Sequence, residues 1–354
     1  MKKNLISKMF LRGIITSFAL AVGMCMPSGL SAQKLVKVEL PAGGPETPEN
    51  RLIKLRDAME SAKTTGERAY ILSETGKTGT FIGMMYAGNY LDDKELGKVA
   101  AQAVTEIALQ HPEYDGTNTR ALLHSCEPLV SGKQRKAIRE FLAKPAGSPG
   151  FVSAFNGKDL TGWKGLVENP ITRAKMSPDE LLRKQVVADE AMKKDWVVEN
   201  GLICYVGNGF DNLCTKKKYG DFEMYVDWQL DPTGKEPDAG IYLRGTPQVQ
   251  IWDTARVNVG AQVGSGGLYN NQKNRSTPTS VADNKTGMWN SFYIKMTGDK
   301  VTVVLNGVKV VDNVVLENYW DRNQPIFPVE QIELQAHGSK VYYRDIYIKG
   351  TPID

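Results

Sequence analysis

Two hydrophobic periods divide the chain. Between residues 50 and 143 apolar side chains recur every three or four positions. Leu52, Leu55, Met59 and Ala62 form one stripe; Leu96, Val99, Ala100, Ala103, Val104, Ile107 and Ala108 form a second. Leu122, Leu123 and Cys126, then Ala137, Ile138, Phe141 and Leu142, make two more. This is the helical period and predicts short helices. Asp93 and Ser131 are placed to act as N-caps, and Pro112 ends the long helix after His111. Short helices with brief turns predict antiparallel pairs stacked in a HEAT-like array. His124 and Cys126 read as packing residues.

From Phe151 the period falls to two. Phe222, Met224, Val226, Trp228 and Leu230 alternate with Glu223, Tyr225, Asp227 and Gln229, as in a strand with one buried face. Lys300–Val311 predicts a hairpin turning at Asn306-Gly307. Further strands are predicted at 196–205 (broken by Asn200-Gly201), 240–244, 248–253, 291–296, 330–337 and 340–349. Many short antiparallel strands predict a β-sandwich of jelly-roll type. One helix interrupts them: Ser177-Pro178-Asp179-Glu180 opens a helix to about Lys194, with Leu182, Val186, Val187 and Met192 apolar, placed to cover a sheet edge or line a cleft.

Gly- and Pro-rich stretches punctuate these patterns at 41–48 and 143–150. The organisation expected is α+β and multidomain: a leader at 1–32, a linker at 33–49, a helical domain at 50–143, a linker at 144–150 and a jelly-roll sandwich at 151–354.

Charge then sharpens the picture. The chain carries 44 Lys+Arg against 40 Asp+Glu in 354 residues. The first 32 residues hold Lys2, Lys3, Lys8 and Arg12 and no acid, so the remainder balances. Those residues run from a basic start through an apolar stretch, Gly13–Met26, to Ser31-Ala32, as a secretory signal does, and the stretch is too short and interrupted to span a membrane. Export to the periplasm or outside the cell is expected. A lipid anchor at Cys25 fits less well, because Met24 stands where a small residue is needed. The neutral remainder has no electrostatic footprint for nucleic acid, and no later segment is apolar enough to cross a membrane. Cys126, Cys204 and Cys214 are too few for a disulfide scaffold, with Cys204–Cys214 the one short-range pair to test. His111, His124 and His337 are too scattered for a zinc site.

Candidate chemistry lies in the polar rows. Gln331, Glu333, Gln335 and His337 alternate with Ile332, Leu334 and Ala336; Tyr242 and Arg244 share a face; Gln248, Gln250 and Trp252 alternate with Val249, Ile251 and Asp253. Amides and carboxylates suit sugar hydroxyls, and aromatic faces suit the C–H side of a pyranose. Any half-exposed sheet alternates in this way, so each row alone also fits solvated surface. Glutamine and histidine distinguish these rows, since exposed strands favour Thr, Lys and Glu. Two loops offer a rim: Gly264–Asn274, a glycine-rich stretch with Tyr269 and Asn271 among its amides, and Tyr319–Asn323, with Trp320 and Arg322.

The same blocks carry a resemblance. Phe155–Trp163, Trp196–Gly201, Tyr219–Glu223, Gly240–Gly245 with Gln248–Asp253, Gly266–Tyr269, Trp289-Asn290 and Leu305–Gly307 resemble, in order, the 3-keto-disaccharide hydrolase family over about residues 151–350. The departure is at Asp238-Ala239-Gly240-Ile241, where that family often has Asn-Ser-Gly-Ile. The resemblance implies a concanavalin A-like jelly roll that cleaves the glycosidic bond of a sugar oxidised at C3, by elimination or hydrolysis. The ketone acidifies the C2 proton, so the site needs one base and an electrophile near the ketone oxygen rather than paired carboxylates. Glu333 or His337 is the expected base, with Asp253 and Asp238 as competitors. Arg244 is the expected electrophile; Asp238, Gln248, Gln250, Gln335, Tyr269, Asn271, Trp320 and Arg322 are expected on the substrate. Asp253 and Asp238 also offer oxygen ligands for calcium or another divalent cation, although no calcium-loop motif is present. The partner expected is a small saccharide, with no role assigned to the helical domain. A non-catalytic carbohydrate-binding module would use the same face. Two-carboxylate hydrolysis ranks lower, because the Glu-x-Asp-x-x-Glu strand pattern of jelly-roll glucanases is missing.

Overall fold

A computed structural model describes residues 36–207 and 209–353. The expected leader, with Cys25, falls outside the described residues. Six helices come first: α1 (Pro48–Ser61), α2 (Thr65–Gly76), α3 (Phe81–Gly88), α4 (Gly97–Gln110), α5 (Thr117–Cys126) and α6 (Gly132–Leu142). Side-chain caps set their starts. Thr47 accepts from Asn50 N, Thr80 from Gly83 N and Ser131 from Gln134 N, while Thr64 and Glu67 form a reciprocal capping box. Asp93 caps the turn ahead of α4, accepting from the N–H groups of Glu95 (2.8 Å) and Leu96 (2.9 Å).

The periodicity missed α2 and α3. Helix α3 is buried on nearly every side, so it has no polar face against which a stripe could show. Helix α4 is the hub, in contact with α2, α3, α5 and α6. The helices collect around it, and a stacked HEAT-like array is not shown. Cys126 is buried as expected, whereas His124 faces solvent. A residue two positions from a buried one on a helix points about 200° away from it, which corrects the packing role read for His124.

The rest is a two-sheet antiparallel sandwich. Its strands are β1 (Val152–Ser153), β2 (Trp163–Gly165), β3 (Trp196–Glu199), β4 (Leu202–Tyr205), β5 (Leu213–Thr215), β6 (Lys218–Leu230), β7 (Asp238–Leu243), β8 (Thr246–Trp252), β9 (Asn290–Thr297), β10 (Lys300–Leu305), β11 (Val308–Val315), β12 (Glu333–Leu334) and β13 (Val341–Ile353). The larger sheet runs β11-β10-β9-β6-β13-β4-β3, with β1 on β13; the smaller runs β2-β5-β12-β7-β8. Met224, Val226, Trp228, Ile241, Val249, Ile251, Phe292, Ile332 and Leu334 meet in one core between the sheets.

Three two-residue hairpin turns share one chemistry. Asn200-Gly201, Arg244-Gly245 and Asn306-Gly307 all have positive φ at both positions (52° and 77°, 50° and 68°, 49° and 81°), as a type I′ turn requires. Two were legible as Asn-Gly. The third was not, because arginine rarely takes this conformation. Cys126, Cys204 and Cys214 are buried free thiols, so the Cys204–Cys214 pairing does not form.

Between β2 and β3 lie α7 (Pro170–Arg173) and α8 (Pro178–Asp195). Helix α8 covers the β2 edge, where Asp189 Oδ1 accepts from Gly165 N at 2.9 Å. Its apolar residues are not turned inward as expected: Met192 is buried, but Leu182, Val186 and Val187 are 67%, 59% and 70% exposed. The edge is met through Asp189 and the backbone near Ala188, so the packed side of the helix is its polar and small-residue side.

The helices and the sandwich form one compact unit. The outward row of β6 is covered by them. Tyr225 stacks on Phe81 (5.4 Å, 17° between planes), and Phe151 and Tyr347 join the cluster. Arg56 of α1 pairs with Asp227 (3.2 Å) and Asp345 (2.6 Å), while Arg344 approaches the same two carboxylates at 3.3 and 3.6 Å and lies over the Trp289 ring. Burial opposes charge on Asp345, but Arg56 and Arg344 outweigh it and hold that carboxyl below its ordinary range. Among the described residues no helix is long and apolar enough to cross a membrane.

Candidate functional site

The outward face of the smaller sheet is built in ranks. Glu333 pairs with Tyr242, and extending this antiparallel register sets Gln335 opposite Gly240 and His337 opposite Asp238. Gly240 in turn faces Gln250, and Asp238 faces Trp252. Alternation turns Ala239, Ile241, Val249, Ile251 and Leu334 into the core, so every polar partner in these ranks points outward. The absence of a side chain at Gly240 leaves the space that the Gln248 and Gln335 amides occupy. A Cβ there would lie 2.9 Å from Gln248 Cδ and 2.9 Å from Gln335 Oε1.

Above this face lies a cleft of about 340 Å³ lined by Asp238, Tyr242, Pro247, Gln248, Gln250, Trp252, Tyr269, Asn270, Tyr319, Trp320, Gln335 and His337. Its size falls in the range of small-ligand sites. Gln248 Nε2 donates to Gln250 Oε1, and Gln250 Nε2 donates to Asp238 Oδ1 at 2.9 Å, so the two amides form a chain ending on the carboxylate. Burial pushes the Asp238 carboxyl above its usual range, against the pull of His337 and Arg256. His337 Nδ1 stands 3.8 Å from Asp238 Oδ2, and the ring meets Phe210 edge-on at 6.2 Å.

Two loops supply the aromatic rim. Gly266 N donates to Gln250 O (2.8 Å) and Gln250 N to Gly267 O (2.9 Å), so the glycine-rich stretch runs along β8 and delivers Tyr269, whose ring meets Trp252 edge-on at 5.4 Å. Trp320 Nε1 donates to Gly245 O at 2.7 Å. Glu317 ties the loops together, accepting from the N–H groups of Gln272 (2.9 Å), Lys273 (2.7 Å) and Asn274 (2.6 Å). Burial works against that charge, but the backbone donors prevail and hold its pKa down at about 2.

Asp238, Gln248, Gln250, Gln335, His337, Tyr269 and Trp320 are thus brought together. The remaining expected residues have other duties. Arg244 sits at the first position of its turn and leaves the strand face, donating to the carbonyls of Pro328 (2.9 Å) and Gly298. Asp253 accepts from Thr286 Oγ1 (2.6 Å) and Ala255 N (3.1 Å) and shapes the loop after β8. Asn271 fastens its loop to Val315 O (2.7 Å) and Glu317 N (3.0 Å). Arg322 donates to Asn270 O (2.8 Å) and pairs with Glu317 (3.3 Å), behind the rim.

Glu333 stands on the same face beside Tyr242 but is covered, 1% exposed, accepting from Asn212 Nδ2 at 3.1 Å. Burial pushes its pKa up to about 7. Sequence reasoning left Tyr242, Trp252 and Tyr319 without a role although their alternation or loop was visible. Arg256, 3.6 Å from Asp238, carried no signal. Among the described residues no three His, Cys, Asp or Glu side chains gather as a metal set. Asp238 and Asp253, read as cation ligands, are held by separate partners.

A β-sandwich with amides, a histidine–carboxylate pair and aromatic rings around one cleft defines a protein class suited to carbohydrate. The chain belongs to the 3-keto-alpha-glucoside-1,2-lyase-like domain family, whose model matches residues 150–349. Two solved structures of candidate glycosyl hydrolases from Parabacteroides distasonis ATCC 8503 are similar. One shares 23% identity over 57% of this chain and 94% of its own, at a TM-score of 0.42. The other shares 22% over 45% and 91%, at 0.37. A carbohydrate-binding module from Bacillus subtilis aligns at 9% identity over 42% and 86%, at 0.29. No curated protein matches the chain.

Proposed function

We propose that this chain is an exported enzyme that cleaves the glycosidic bond of 3-keto-glycosides by elimination, with hydration following. The observation that carries the reading is the pairing of His337 with Asp238 on the floor of the amide-lined cleft, in a chain of this family. With Nδ1 turned toward Asp238, Nε2 is the atom that takes the C2 proton. The electron pair of that C–H bond forms the C1–C2 double bond as the C1–O bond breaks, and the leaving alkoxide acquires a proton. Water adding across the double bond returns a 3-keto-sugar.

Arg244 is not the electrophile in this scheme. Tyr242 takes its place: burial keeps its phenol protonated over the working range, so the hydroxyl can donate to the ketone oxygen. Gln248 and Gln335 hold hydroxyls, and Trp252, Tyr269 and Trp320 offer faces to the ring. Glu333, buried beside Tyr242, holds Asn212, whose Oδ1 accepts from Ala336 N at 3.0 Å and so fixes the segment carrying His337.

The test is incubation of the purified chain with a 3-keto-glucoside, following the unsaturated ketone by ultraviolet absorbance and the released alcohol by chromatography. Both should appear. Saturable binding with no product in the presence or absence of added divalent cations would instead make the protein a binding module.

A further inference from the structure

We infer that Arg256 is a positioning residue for the Asp238–His337 pair, its fixed charge standing against the same carboxylate oxygen that the imidazole approaches. This rests on the proposed role of His337 as base. Asp238 Oδ1 is occupied by Gln250 Nε2 at 2.9 Å. Its other oxygen, Oδ2, is approached by two nitrogens, Arg256 Nη1 at 3.6 Å and His337 Nδ1 at 3.8 Å. Neither nitrogen has a hydrogen-bond partner among the described residues. Arg256 and Asp238 are largely out of solvent, with side chains 15% and 11% exposed, so their charges are weakly screened.

The loop is built to present this arginine. Asp253 accepts from Ala255 N through its side chain (3.1 Å) and from Arg256 N through its carbonyl (3.0 Å), and Arg256 O accepts from Val259 N (3.2 Å) and Ala261 N (3.3 Å). Asp253, a competitor for the base in the sequence, thus holds the turn that delivers the cation.

The groups facing Asp238 are Arg256 from this loop, His337 from beyond β12, Gln250 from β8, Glu236 from the loop before β7 and Tyr343 from β13. Burial and Glu236 both favour a neutral Asp238, and a protonated Asp238 could not orient an imidazole. Arg256 is the permanent cation opposing them.

Arg256→Gln and Arg256→Lys in the full chain test this through the titration of the His337 ring by NMR, its resonances assigned as those lost in His337→Asn. Removing the cation leaves burial and Glu236 less opposed, so Asp238 should titrate higher in Arg256→Gln and the titration of its neighbour His337 should shift in consequence. The acid limb of kcat/KM should move in the same direction, and Arg256→Lys should restore both. A His337 titration in folded Arg256→Gln that superimposes on the wild type would overturn the assignment, as would failure of folded Arg256→Lys to restore it. If the wild type turns over no 3-keto-glucoside, the proposed reaction falls while the titration still decides the role of Arg256.

Discussion

The sandwich has two outward polar faces that look alike in sequence and behave differently in space. On the larger sheet, Tyr225 and Asp227 of β6 lie under the helices, where every ring has an aromatic neighbour and the carboxylates meet Arg56 and Arg344. On the smaller sheet, Asp238, Gln335 and His337 line an open cleft; Gln335 Oε1 makes no hydrogen bond among the described residues, and His337 Nδ1 has only the 3.8 Å approach to Asp238. Buried polar groups are normally satisfied. The covered face also leaves Arg56 Nε, Asp227 Oδ1 and Arg344 Nη2 without a hydrogen bond, so what separates the two faces is access: the helices close one, and the other opens onto a cleft that a ligand can enter.

Four perturbations test that contrast. Arg56→Ala strikes the covered face hardest, because it leaves Asp227 and Asp345 buried with less compensation; a loss of about 3–5 kcal/mol in urea unfolding is expected. A cost below about 1 kcal/mol would mean that the cluster is no more than solvated surface. On the open face, His337→Asn should reduce turnover by roughly 10²–10⁴ while the unfolding midpoint stays near wild type. Equal loss of stability and activity would erase the distinction between the faces.

Glu333 gives a pH signature. Its folded pKa is raised by burial to about 7, so the native state holds the proton more tightly than the unfolded chain does. That contribution is complete below the unfolded value and is lost as pH rises through about 7. Stability should therefore fall by about 2–3 kcal/mol between pH 5 and 8, and Glu333→Gln should flatten the slope. An unchanged slope in the variant would place the ionisation elsewhere. The smallest effect is expected for Val187→Lys on the exposed side of α8, within about 0.5 kcal/mol.

The strand alternation was legible because one face of each strand is apolar, and it correctly separated Ile241, Val249 and Ile332 from Tyr242, Gln250 and His337. It placed Arg244 beside Tyr242, since nothing in Leu243-Arg244-Gly245 marks a turn as Asn-Gly does at 306–307. Arg256 was invisible for the opposite reason. It lies in a loop without period, and its place depends on hydrogen bonds donated to Asp253 that no spacing rule encodes.

By itself the sequence determined the two classes of element, the inward residues of each strand, two of the three type I′ turns and the family, because these follow from local period, turn chemistry and a run of ordered blocks. Only the tertiary structure decided which polar face is covered, since that depends on where the helices dock: Phe81 and Arg56 find partners on β6 and β13 from more than a hundred residues away. It also decided the register that brings His337 to Asp238. Charge and hydrogen bonding act over a few ångströms in space, and separation along the chain carries no record of that distance.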